Sequence, residues 1–329
     1  MVYNKNLKEG IKMYSAHINR RFLKDYNLPI PVAEPEYLQY YLDLYDNVYH
    51  TNDLYKVFSE LVDRLGDEES FFVYGKRVCE SAIEKMKNAP AYIDFINDKT
   101  DLFKGHKWSC LDVPKGQVYK EENDGKYFLS IDLVKANYQA LRYYTRTIIG
   151  KPQSEDDLVL GTTTFDQFIS HFTNEVYYKG AKKFRQVVFG NINPKRQQTI
   201  QRYIIEKILL NILDSGLYNK EQLKDYTSDE IVFVSESTEY IRQSMNAISD
   251  IARTLGIEIH LDGFKLVRLN PYDFYVREMF DGTVSFKCIE SSLMPQAIKH
   301  YFGIGNQNEK DLTFYNSNGM LARYINSLW

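Results

Sequence analysis

The period of the hydrophobic positions changes after the first hundred residues. In EPEYLQYYLDLYDNVYHTNDLYKVFSELVDRLG, residues 34–66, Leu38, Leu42, Tyr45 and Tyr49 recur at helical spacing, and Gly66 supplies a stop. A second helix is predicted over about 68–87, ended by Asn88-Ala89-Pro90. The stretch from Lys104 to Gly116, with two glycines and Pro114, is the expected boundary. Beyond it, β-type runs flank three Asp-Gly pairs, at 124–125, 262–263 and 281–282. Asp-Gly accepts the positive φ of tight hairpins, so all three are expected to be turns of an antiparallel sheet. Two helical stripes lie among the strands: Ile200, Ile204, Ile208 and Ile212, then Ile241, Met245, Ile248, Ala252 and Leu255, with Gly256 as the cap.

The expected class is therefore α+β: an antiparallel sheet flanked by helices, preceded by a mainly helical N-terminal region. The division expected is 1–105 and 106–329, with a helical insertion at about 151–222.

Composition narrows the picture. The 329 residues suffice for a substantial core, and 44% hydrophobic with 26% charged content is ordinary for a globular chain. The 27 Tyr and 19 Phe are expected mostly in cores, a minority being able to stack on bases. No apolar run approaches a membrane span, and the first residues lack the apolar core of a signal peptide. Cys79, Cys110 and Cys288 form no C-x-x-C pair, which suits a reducing, cytoplasmic compartment and argues against structural zinc.

Net charge is only −3, but it is segregated. Residues 34–70 hold ten acids against two bases; residues 176–207 hold eight bases against one acid. The basic stretch permits a surface for an anionic partner, and the acidic helical half permits a protein-docking role; each is equally readable as a solvated helix face.

Chemistry concentrates in two short stretches. KYFLSIDLVKANYQALRYY, residues 126–144, ends an apolar strand on Asp132 and passes straight into a helix. LKDYTSDEIVFVSES, residues 223–237, sets Asp229 and Glu230 at the turn of a predicted hairpin, ahead of Ile231-Val232-Phe233-Val234. Carboxylates gathered from both would repel strongly without a cation or proton, and a hard divalent metal suits oxygen ligands. The plainer readings are that Asp132 caps the helix after it and that Asp229-Glu230 is a solvated turn. Elsewhere no G-x-x-x-x-G-K-[ST] loop and no G-x-S-x-G elbow occurs. The six histidines lack the i, i+4 spacing of a helical zinc site.

These two stretches and a third between them together resemble the palm of template-directed DNA polymerases over about residues 118–270. IDLVKANYQALR resembles the first palm motif, KKFRQVVFGNINPKRQ the second, and SDEIVFV the A-family third motif; read as YTSDEIVFV, it is similar to the B-family version. The resemblance implies a nucleotidyltransferase that extends a nucleic-acid strand from nucleoside triphosphates with two Mg²⁺ or Mn²⁺ ions. Asp132, Asp229 and Glu230 would be the catalytic metal ligands, with Glu230 alternatively a primer-end contact. Lys182, Lys183 and Arg185 would hold the triphosphate, Asn137 or Tyr138 would lie against the sugar, and Lys195, Arg196 and Arg202 would meet strand phosphates.

The sequence departs from the pattern. Asn137 stands where the A-family has a glutamate, Ser228 replaces one B-family acid, and 44 residues from Arg185 to Asp229 leave no room for a large fingers domain. A minimal palm of the viral or mobile-element kind is implied, placed in a host cytoplasm if viral. The alternatives are a catalytically degenerate palm that binds nucleic acid or docks on a replication or transcription complex, and, more weakly, a metal-dependent nuclease.

Overall fold

The structure, a computed structural model, describes residues 12–97, 103–108 and 116–329. The leading segment 1–11, Cys110 and residues 109–115 of the expected boundary lie outside the described residues.

The N-terminal region is helical: α1 (Ala16–Tyr26), α2 (Pro35–Tyr49), α3 (Thr51–Leu65), α4 (Glu68–Asn88) and α5 (Pro90–Asn97). The single helical pattern of 34–66 is two helices, because His50 adopts a left-handed conformation (φ 51°) between α2 and α3. Gly66 closes α3 at φ 98°, where a side chain would be strained.

Strand β1 (Tyr127–Leu133) follows, then α6 (Ala136–Tyr143), α7 (Phe165–Ser170), α8 (Val176–Gly180), α9 (Lys182–Gly190) and α10 (Pro194–Asp214). A hairpin of β2 (Leu223–Tyr226) and β3 (Glu230–Ser235) comes next, then α11 (Thr238–Thr254), β4 (Ile259–Arg268), β5 (Tyr275–Met279) and β6 (Val284–Lys287). The chain closes with α12 (Met294–Phe302) and the small pair β7 (Thr313–Tyr315) and β8 (Leu321–Arg323). No described helix is long and apolar enough to cross a membrane.

Two compact units divide the chain. One comprises residues 12–76, 175–184 and 289–329; the other, residues 77–174 and 185–288. In the first, Phe22, Tyr55, Phe58, Phe71 and Tyr177 form a buried aromatic core, with Phe22–Tyr55 and Phe58–Phe71 meeting edge to face at 5.2 and 5.5 Å.

The second unit carries the six-stranded antiparallel sheet, ordered β2-β3-β1-β4-β5-β6. From β1 to β4 the path is strand, helices, hairpin, helix, strand, the split β-α-β arrangement that brings β1 between the hairpin and β4. Helices α10 and α11 pack on one sheet face, where the Ile200–Ile212 stripe is fully buried and Tyr218 stacks on Phe233 at 4.5 Å. On the other face Val118, Phe128, Val232, Phe264, Leu266 and Tyr275 form a buried cluster, each large side chain contributing about 2–3 kcal/mol.

Of the three Asp-Gly pairs, only Asp281-Gly282 turns a hairpin, between β5 and β6 (Gly282 φ 89°). Asp124-Gly125 ends a 3₁₀ turn and docks on β4: Gly125 N–H donates to the Leu266 carbonyl (2.8 Å), and Asp124 accepts from Arg268 N–H (2.8 Å). Asp262-Gly263 is no turn at all, but lies within β4. A Cβ at Gly263 would sit 2.4 Å from the Phe280 ring and 3.1 Å from Ile241, so close packing, not positive φ, requires glycine there.

Candidate active site

Strand β1 runs from the apolar cluster to an open end. Phe128, Ser130 and Asp132 alternate onto one face, the first two buried and Asp132 exposed. Asp132 stands directly opposite Glu230 of β3 and His260 of β4. One residue further, Leu133 N–H donates to the Asp229 carbonyl (2.9 Å) and Val134 N–H to that of Glu258 (3.2 Å). The chain then reverses at Lys135, in a left-handed conformation (φ 50°), and enters α6. Lys135, not Asp132, occupies the N-cap position of α6, so helix capping does not account for Asp132.

Asp229 is exposed on the β2–β3 turn, where Thr227 and Ser228 hydroxyls donate to its Oδ1 (3.1 and 3.4 Å). The three sequence-predicted acids thus lie at one end of the sheet, with Asp132 and Glu230 in paired register. Like charges placed directly opposite are unfavourable by roughly 0.2–1 kcal/mol.

Glu230 has its own compensation. Its Oε1 accepts from Ser130 Oγ (2.6 Å) and from the Arg277 guanidinium (3.0 Å). Burial pushes this carboxyl up, but the Arg277 charge and these two hydrogen bonds outweigh it and hold Glu230 below the ordinary glutamate value. Arg277 is itself buried, 4.5 Å over the Phe264 ring and 5.5 Å over Tyr119. A cation taking Glu230 as ligand would compete with Arg277. Among the described residues, no group of three or more His, Cys, Asp or Glu is placed to hold a metal ion. The other sequence-predicted carboxylates, oxygen donors of the type that suits a hard divalent ion, are Asp132 at the end of β1 and Asp229 on the β2–β3 turn.

Lys135, at the turn after β1, shares a ring with a second basic group. The Phe165 ring lies beneath both Lys135 (5.2 Å) and Arg185 of α9 (5.5 Å), and Lys135 also pairs with Asp166 (2.6 Å). Burial lowers the Arg185 guanidinium from its ordinary value, with Asp166 opposing. Arg142 bridges to Glu258 at 2.9 Å.

The remaining predicted residues are dispersed. Asn137 accepts from Gln201 of α10 (2.6 Å). Tyr138 is buried among Phe165, Phe168 and Phe189 with its hydroxyl 3.0 Å from Thr162 Oγ1, a core position that presents no ring face to a sugar. Lys195 is exposed, Arg196 lies 5.5 Å over Phe95, and Arg202 lies 5.1 Å over Trp108. Lys182 and Lys183, both exposed, belong to the other unit.

Sequence reading missed Ser130, Lys135, His260 and Arg277. Arg277 left a signal: in Tyr-Val-Arg-Glu-Met it shares the inward face of β5 with Tyr275 and Met279, and a buried charge needs a partner. No family model and no curated protein matches the chain.

Proposed function

We propose that the chain is a nucleotidyltransferase with a polymerase-like palm, joining nucleoside triphosphates to the 3′ end of a nucleic-acid strand. The observation that carries this reading is that the chain positions of Asp132 and Asp229 fall at the same end of the sheet, tied by the 2.9 Å Leu133–Asp229 backbone bond and the Asp132–Glu230 register. Mg²⁺ or Mn²⁺ bound by Asp132 and Asp229 would supply Lewis-acid activation of the strand's 3′-hydroxyl and neutralise phosphate charge. Asp132 sits at the end of a strand, which holds a carboxylate more rigidly than a mobile loop would. Glu230, kept in place by Arg277 and Ser130, is a contact for the strand end rather than a third ligand. Arg185 and Lys135 form a cationic wall for the triphosphate, and Lys195 and Arg202 on α10 offer charges to strand phosphates.

The test is extension of a primed template with labelled nucleotides and Mg²⁺ or Mn²⁺, beside an Asp132→Ala plus Asp229→Ala control. Extension that falls to background in the control supports the reading; shortened strands would point to a nuclease built on the same acids.

The clasp on Glu230 favours a second reading, a palm that binds nucleic acid without catalysis, because an acid neutralised by arginine contributes no negative charge to a metal site. That reading expects no extension, but salt-sensitive strand binding weakened by Lys195→Ala and Arg196→Ala.

A further inference from the structure

The hexapeptide Phe103-Lys104-Gly105-His106-Lys107-Trp108 alternates rings with lysines and glycine. Its rings close on Tyr203 of α10, with Phe103 and His106 centroids 4.7 and 4.6 Å from it. Trp108 meets His106 at 4.7 Å and Phe103 at 5.4 Å, both edge-on. Two cations of α10 lie over these rings, Arg202 at 5.1 Å from Trp108 and Lys207 at 4.9 Å from Tyr203. Lys104 and Lys107 are exposed, Phe103, His106 and Tyr203 half-buried, and Trp108 is 36% exposed. Glu206, a carboxylate at the cluster, lies fully buried 3.8 Å from His106 Nε2 rather than on the outer surface. A core cluster would bury its rings and exclude the lysines, whereas an ordinary solvated helix would not gather rings.

We infer that this surface is a stacking platform for single-stranded nucleic acid, with bases on Trp108 and Tyr203 and phosphates against Lys104, Lys107, Arg202 and Lys207. Unpaired bases present the π-faces such rings need, and the backbone supplies the complementary charge. Paired bases hide those faces, and an acidic peptide would use the charges while leaving the rings without a partner. The inference rests on the nucleic-acid reading of the chain, but uses none of the acids at the end of β1.

The experiment measures fluorescence anisotropy of the full chain, without divalent ions, on three labelled probes: a 20-nucleotide oligothymidylate, an abasic strand of the same length and a polyglutamate peptide. In a Trp329→Phe background, tryptophan emission then reports Trp108. Oligothymidylate is expected to quench that emission and to bind about tenfold more weakly to Trp108→Ala, at an unchanged melting temperature, while Trp108→Phe keeps most of the affinity. Arg202→Ala plus Lys207→Ala should lower the slope of log affinity against log salt by about 1.4, roughly 0.7 per lost phosphate contact. Equal binding by wild type and Trp108→Ala, equal binding of the abasic strand, preference for polyglutamate, or no strand binding would each overturn the platform. Primer extension without Trp108 dependence ends the platform alone; Trp108-dependent binding without extension leaves the platform and ends the transferase reading.

Discussion

Lys299 and Asp311 lie 2.7 Å apart in the unit that holds the N-terminal helices α1 to α3, and Arg277 and Glu230 lie 3.0 Å apart in the sheet unit. The first pair links residues 12 apart in sequence and the second residues 47 apart, and their surroundings differ. Asp311 is fully buried and both its oxygens are engaged: Oδ2 accepts from Lys299 and from Asn308 N–H (2.8 Å), Oδ1 from the Tyr40 hydroxyl. Lys299 spends a second hydrogen on the Asn306 carbonyl (2.9 Å). Glu230 is 27% exposed at its side chain, and the Ser130 and Arg277 donors both converge on Oε1. A sealed pair with every oxygen satisfied fixes a fold; a pair open on one side, beside two strand-end acids, keeps a charge in place at a surface that something else can reach.

The comparison makes Lys299→Met the most damaging substitution of the two sites. It strands Asp311 without its cation where water cannot enter, and should cost about 4 kcal/mol, read as a lowered urea midpoint at unchanged slope. A loss below about 1 kcal/mol would mean that the Tyr40 and Asn308 contacts suffice, and that the sealed pair has no special structural role.

Arg277→Met should cost less, about 2 kcal/mol, because the partly exposed Glu230 can turn toward water. Its pH dependence has a definite sign. In the wild type Glu230 titrates below its unfolded value of about 4.3, so the pair's contribution is present above that pH and disappears as pH falls through the folded value. Without Arg277, burial is opposed only by the Ser130 hydrogen bond and the Lys287 charge, and the Glu230 carboxyl moves up. The stability gap between wild type and variant should therefore shrink on acidification from about pH 6 to 3. Urea melts across that range that keep a constant gap would remove Glu230 from the account.

How far the sequence reached can be argued from these same residues. Strand β1 and the β2–β3 hairpin were legible because their signals are local: apolar runs, a polar turn, and an acid at the edge of each. The helical stripes of α10 and α11 were legible for the same reason, and Ile241, Ile248 and Ala252 are buried as that periodicity requires. Gly263 misled because its glycine answers to Phe280 and Ile241, contacts that local turn chemistry does not encode. Tyr138 misled in a similar way, its polar hydroxyl being satisfied inside the core by Thr162. The Arg277–Glu230 clasp was out of reach because it depends on β5 reaching the sheet face of β1 and β3, which sequence spacing does not reveal. The arrangement of acids at one strand end was foreseeable; which of them is already neutralised was not.

The smallest effect bears most directly on the open side of the comparison. Asp132 faces Glu230 across the ladder, and Glu230 is paired with Arg277. Without a divalent ion, Asp132→Asn should therefore stabilise the chain by about 0.5 kcal/mol, a rise of roughly 1–2 °C in melting temperature. Millimolar Mg²⁺ should reverse the order. A cation bound by Asp132 and Asp229 stabilises only the folded wild type, and the gain grows with ion concentration as mass action dictates. The measurement is a pair of melting curves, in EDTA and in Mg²⁺, for wild type, Asp132→Asn and Lys299→Met. A crossing of the first two curves, with no ion-dependent change in the gap between wild type and Lys299→Met, locates the cation at the open end of β1. Parallel shifts in all three would assign Mg²⁺ a diffuse surface effect and leave Asp132 and Asp229 without a metal to hold.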